Sequence, residues 1–212
     1  MNYTNFKNTV QSWPLVFSRD LTRNKANKQA LRNQLKRWHS KRLLIKLKKG
    51  IFLLNESDRK ITPAKGYIAN QLYTPSYLSL EYALNYYGLI PERVSDITSV
   101  TTRKTKRLKN EIGQFIYQHI KPACFKGFYA VKDESNLSFF IAEPEKALVD
   151  FCYLNLKNFQ DNYESVFEQS YRLQNTESLN VKKILYYAKL FKNIKLSRVC
   201  KALCNFIRKE RQ

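Results

Sequence analysis

The sequence predicts an α+β protein: an N-terminal winged helix-turn-helix followed by a mixed α+β domain with a mostly antiparallel sheet and C-terminal helices. Three observations carry this expectation. Residues 19–54 read, in order, as a short helix, a turn, a longer helix and two strands joined by a tight basic turn. Residues 97–142 change to the alternating pattern of strands. Beyond residue 158 the apolar spacing returns to that of helices, for example over Val181–Phe191 and Leu196–Arg208.

The first helix is expected within residues 2–12, where Tyr3, Phe6 and Val10 share near-helical spacing and Trp13-Pro14 stops the chain. Leu15-Val16-Phe17 is short and apolar, as an added strand of a small sheet would be. Ser18 stands where an N-cap would open the short helix at Arg19-Asp20-Leu21. Thr22 to Lys25 reads as a polar turn, and the long helix is expected from about Ala26 to Ser40. Leu31, Leu35 and Trp38 fall at i, i+4 and i+7, so they line one face. Lys25, Lys28, Arg32 and Lys36 form a second, cationic stripe at i, i+3, i+7 and i+11. One face can pack on a core while the other meets phosphates and base edges; a solvated cationic face is the competing account. Leu43–Leu47 and Ile51–Leu54 read as paired strands, with Lys48-Lys49-Gly50 as their turn and Gly50 supplying the permissive backbone. NESDRKIT, residues 55–62, is the expected boundary, giving a DNA-binding domain over 1–62 and an α+β domain with a helical extension over 63–212.

In the second region Ala64–Leu72 has helical character. Leu80, Ala83, Leu84 and Tyr87 then follow the helical period, with Ser79 as the expected cap and Gly88 and Pro91 as the stop. The tyrosines of residues 67–87 read as packing residues in preference to a base-stacking platform. Residues 97–102, 113–120, 125–131 and 137–142 are expected to be four strands of one sheet. The basic run RKTKRLKNE, residues 103–111, lies between the first two and reads equally as a second phosphate-binding patch or a solvated hairpin or loop. Pro144 suits the first turn of a helix whose buried face is Ala147, Leu148, Phe151 and Leu154.

Composition narrows the function classes. The chain has 212 residues, 43% apolar and 14% aromatic, so it is built to fold. Its net charge of +21 is concentrated: residues 1–63 carry 15 basic and 3 acidic side chains. A polyanion is the partner this implies, and the N-terminal third is the place for it. No stretch approaches eighteen apolar residues and no signal-peptide pattern opens the chain, which points to the cytoplasm and away from a membrane. Cys124, Cys152, Cys200 and Cys204 lack metal-ligand spacing and read as buried small apolar residues. His39 reads as a helix C-terminal imidazole, and His119 has no evident partner. Glu143, Glu145, Lys146 and Asp150 raise a metal-dependent nuclease as the one catalytic alternative, but the spacing is Glu-x-x-Lys and acids suit a helix N-terminus anyway. No catalytic residue, metal or cofactor is assigned.

Four stretches in this order carry a family resemblance: GIF after the basic turn, SYLSLEYALNYYGLIP (76–91), GQFIYQHIKPACFKGF (113–128) and IAEPEKALVD (141–150). Over about residues 15–155 the chain resembles the AbiEi-type antitoxins of bacterial type IV toxin–antitoxin systems. The resemblance implies a winged-helix domain that binds inverted repeats in its own promoter and represses its operon. It also implies a C-terminal region that antagonises a nucleotidyltransferase-type toxin. The toxin's own signature, a Gly-Ser followed by paired aspartates, is absent here. Inverted repeats imply two copies of the chain per site, as a homodimer or by cooperative binding. The expected interface with double-stranded DNA is Lys25, Lys28, Gln29, Arg32, Asn33, Lys36 and Arg37 on the long helix, with Lys48 and Lys49 holding the backbone. Gln29 and Asn33 lie beside the cationic stripe with the chemistry to read adenine. A regulator without a toxin, and less so the nuclease, remain the alternatives.

Overall fold

A computed structural model describes residues 2–22, 28–160 and 163–211. The chain opens with α1 (Tyr3–Val10), β1 (Val16–Phe17), α2 (Ser18–Thr22), α3 (Lys28–Ser40) and the hairpin β2 (Leu44–Lys48) and β3 (Ile51–Leu54). β3 lies between β1 and β2 in an antiparallel three-stranded sheet. The expected start of the long helix at Ala26, and the turn before it, lie outside the described residues. Ser18 is the first residue of α2, not its cap; its backbone N–H donates to the Gly50 carbonyl at 2.9 Å, tying β1 to the hairpin turn. Gly50 has φ +84°, where a side chain would be strained and would press on Ser18 Oγ at 3.1 Å.

Strand alternation divides this sheet between two cores. Val16, Leu44, Phe52 and Leu54 pack with Phe6 and Val10 of α1 and with Leu31, Leu35 and Trp38 of α3. Trp38 holds this core together through Phe6 and Tyr3, with ring centroids at 4.5 and 5.6 Å. On the other side Leu15, Leu47, Ile51 and Leu53 join the core of the remaining chain. All four residues of β3 are therefore buried, as a strand covered on both faces requires. Residues 55–62 link the two regions in sequence, while β3 joins them in space.

The second region continues with α4 (Lys65–Leu72), β4 (Ser76–Leu78), α5 (Leu80–Tyr86), β5 (Ile97–Thr101), β6 (Lys106–Asn110), β7 (Gly113–His119), β8 (Phe128–Lys132), β9 (Ser138–Ala142) and α6 (Pro144–Leu154). A short α7 (Tyr163–Ser165) runs into a π-helical turn, and α8 (Val181–Leu190) and α9 (Ile194–Glu210) close the chain. The sheet has six strands in the order β6-β7-β5-β4-β9-β8. It is mixed: β4–β5, β6–β7 and β8–β9 are antiparallel, whereas β5–β7 and β4–β9 are parallel. Two of its strands differ from the sequence expectation. β4 lies in what reads as the lead into a helix, and β6 lies within the basic run.

Adjacent residues of β4 face opposite layers. Leu78 meets α4, where a Cβ on Gly66 would approach Leu78 Cδ1 at 2.8 Å. Tyr77 meets α6, its hydroxyl donating to Asp150 at 2.9 Å. α8 packs on α6 and α9 on both. The four cysteines are buried, Cys152, Cys200 and Cys204 among these helices. Among the described residues no helix is long and apolar enough to cross a membrane.

Candidate nucleic-acid interface

α3 presents the expected division of faces. Leu31, Leu35 and Trp38 are buried; Lys28, Gln29, Arg32, Asn33, Lys36 and Arg37 are exposed. Its first described turn holds no acid, and its last carries Arg37 and His39, which suits the negative end of a helix dipole. The His39 Nδ1–H donates to the Leu44 carbonyl at 3.0 Å and so fastens the helix end to β2. Gln29 Nε2 donates to Asn33 Oδ1 at 3.1 Å, so the two amides expected to read bases are paired with each other. Lys25 lies outside the described residues.

Between α3 and the hairpin runs an open groove of about 560 Å³. Arg32, Lys36 and His39 line it from the helix, Lys46 and Lys49 from the hairpin, with Leu35 and Phe52 as its apolar floor. Lys28, Gln29, Asn33 and Arg37 lie on the same exposed helix surface but outside this groove.

The hairpin lysines divide between two sides. β2 and β3 pair Lys46 with Phe52 and Lys48 with Ile51, so the register shifts at Leu47. Phe52 belongs to the α3 core and Ile51 to the second core. Lys46 accordingly enters the α3 groove. Lys48 turns the other way and donates to the Leu72 carbonyl at the end of α4. Lys48 and Lys49 were expected to act together; Lys49 stays exposed at the tip, and Lys48 is half-buried against the second region. Burial, and then the positive charges of Lys106, Arg103 and Arg19, hold the Lys48 ammonium below its usual value.

Those charges place the basic run 103–111 beside the hairpin. β6 is an edge strand of the large sheet, and Asn110 Nδ2 donates to the Leu47 carbonyl at 3.1 Å. Arg103 stacks over the Tyr73 ring at 4.8 Å and donates to the Thr74 carbonyl at 3.2 Å. Lys106 sits over the same ring at 5.3 Å. Lys46, Arg103 and Lys106 escape a reading by helical stripe. Lys46 interrupts an otherwise apolar run in β2, whereas Arg103 and Lys106 lie in the basic run itself, and only pairing shows which surface each joins.

Glu143, Glu145 and the Lys146–Asp150 pair have separate partners and form no common site. Glu143 accepts from Lys183 at 2.7 Å and from the Tyr187 hydroxyl at 3.1 Å, and Glu145 accepts the Asn180 backbone N–H at 2.8 Å. Lys146 and Asp150 form a fully buried ion pair, with Tyr77 and Ser79 donating to Asp150 at 2.9 and 3.0 Å. Ser79 thus spends its hydroxyl on this pair and leaves the expected helix cap unmade. Burial pushes the Asp150 carboxyl up, against the opposing pull of Lys146, Tyr77 and Ser79. Among the described residues no three His, Cys, Asp or Glu side chains are grouped to hold a metal ion.

No family model matches the chain, and no curated protein matches it.

Proposed function

We propose that residues 1–62 form a winged helix-turn-helix domain and that the protein is a DNA-binding transcriptional repressor of its own operon. The carrying observation is the groove between α3 and the hairpin, with Arg32, Lys36, Lys46 and Lys49 converging on it and no carboxylate among the described residues that line it. An exposed cationic helix beside a basic hairpin suits α3 in the major groove and the hairpin on the adjacent backbone. The basic edge strand β6 lies on the other side of the hairpin, beside Lys48, and adds a second cationic surface there. The antitoxin role follows from the resemblance of residues 76–150: the second region would antagonise a nucleotidyltransferase-type toxin, and two copies of the chain would sit on inverted repeats. A regulator without a toxin is the second reading, supported by the same groove, and an isolated gene with no neighbouring nucleotidyltransferase frame favours it.

The test is a gel shift on DNA upstream of the gene against scrambled DNA at about 150 mM salt, where non-specific binding is about 10⁻⁴–10⁻⁶ M. Nanomolar binding to the upstream DNA alone supports the repressor. Arg32→Ala with Lys36→Ala should weaken it at least about tenfold while the thermal melt stays put, because both side chains are exposed. Equal, weak shifts on both DNAs reject the reading.

A further inference from the structure

A second cleft, of about 390 Å³, opens on the other side of the hairpin, where the N-terminal sheet meets the end of α4 and the basic run. Arg19, Lys48, Lys49 and Arg103 line it together with Gln71 and Thr74, and no Asp or Glu is among the described residues that line it. Like charges crowd each other, so a wall of cations is stable only when something holds each one. Here neutral groups do most of the holding. Lys48 is bound to the Leu72 carbonyl. Arg103 is bound to the Thr74 carbonyl and stacked on Tyr73. Arg19 lies over the Phe17 ring at 4.9 Å, with Asp20 at 3.6 Å as an exposed companion outside the cleft lining. Lys106 adds its field from over Tyr73. Lys48 and Arg103 are aimed and fixed by carbonyls and a ring, so both keep their charge at the cleft. Gln71 and Thr74 add neutral polar groups to the wall.

The geometry points to a phosphate-binding site in this cleft, with Lys48 and Arg103 as its fixed cations and Arg19 and Lys49 at its rim. A tetrahedral dianion suits a wall with donors on several sides, and a guanidinium held in plane by a ring can offer paired N–H groups to it. Two sources supply that chemistry. One is a backbone phosphate of bound DNA, which would clamp the duplex between hairpin and second region; this source rests on the repressor reading. The other is a free phosphorylated small molecule, which does not.

Two probes on the full chain separate them. The first is a duplex of the upstream DNA, titrated by fluorescence anisotropy over about 100–300 mM salt. Each phosphate contact contributes about −0.9 to the log–log slope. If DNA fills the cleft, Arg103→Gln makes the slope shallower by about 0.9. The second probe is inorganic phosphate, with melting temperature compared against chloride at equal ionic strength. If a free phosphoryl group fills the cleft, millimolar phosphate raises the wild-type midpoint by about 3 °C or more and leaves Arg103→Gln unmoved. Lys106→Gln, at an exposed side chain that adds its charge from over Tyr73, serves as the second variant if Arg103→Gln fails to fold, with the same expected directions. Either response supports the site. An unchanged slope together with no phosphate-specific stabilisation overturns it. A wild type that binds no duplex rejects the repressor reading alone, and the phosphate titration then decides the cleft.

Discussion

Replacing Lys146 with Met tests the centre of the second region. Lys146 and Asp150 are one helical turn apart on α6 and both fully buried. The ammonium is otherwise surrounded by aromatic faces, with the Tyr77 and Phe191 ring centroids at 5.6 and 5.2 Å. Met fills a similar volume, so the cavity cost is small. The electrostatic cost is not. Tyr77 and Ser79 both donate to Asp150 Oδ2, and Lys146 is the partner the structure gives Oδ1. Breaking a buried pair by removing one member typically costs about 3–5 kcal/mol. At about 2–4 °C per kcal/mol for a chain of this size, the midpoint should fall by about 6–20 °C at neutral pH. Adding Asp150→Asn to the same chain removes the stranded charge and should return more than half of that loss. The pH dependence has a definite sign. Burial already raises the Asp150 carboxyl in the folded protein, and losing Lys146 removes the largest opposing pull. A carboxyl raised on folding contributes stability below its unfolded value, and that contribution is lost as pH rises through the folded value. The deficit of Lys146→Met should therefore be smallest near the ordinary carboxyl value of about 4 and grow toward neutrality. Differential scanning calorimetry across that range is the assay. A midpoint within about 3 °C of wild type at neutral pH, or a deficit that does not shrink on acidification, refutes the reasoning.

Two further substitutions probe the packing of each region in turn. Trp38→Ala empties the contact of α3 with Phe6 and Tyr3 and should cost about 3–5 kcal/mol, seen as early unfolding in chemical denaturation. Gly127→Ala places a Cβ at 2.5 Å from Tyr187 Cζ in a residue with φ +75°. Glu143 holds that tyrosine by its hydroxyl, so a loss of about 2 kcal/mol or more is expected by urea denaturation.

The order of the N-terminal elements was legible because each carries a local signal. Trp13-Pro14 stops α1, Leu31, Leu35 and Trp38 mark one face of α3, and Gly50 marks the hairpin turn at φ +84°. The C-terminal helices were legible for the same reason: Val181–Leu190 and Ile194–Glu210 lie close to the spans their apolar spacing predicts. β6 was not legible, since Lys106-Arg107-Leu108-Lys109-Asn110 has one apolar residue and becomes a strand only because β7 offers an edge. Ser79 was misjudged because a serine before a helix has two uses for its hydroxyl, and the choice depends on Asp150, 71 residues away.

The sequence alone therefore determined where charge resides and which residues of α3 are inward and outward, because helical periodicity is a property of neighbours three and four apart. Which cations act together was decided by tertiary structure. One extra residue at Leu47 reverses the side on which the next lysine emerges, sending Lys46 to the α3 groove and Lys48 to the second cleft. Nothing within Leu44–Lys48 encodes that reversal. It follows from β3 being covered on both faces, so that Leu47 must join one core while Phe52 and Leu54 serve the other.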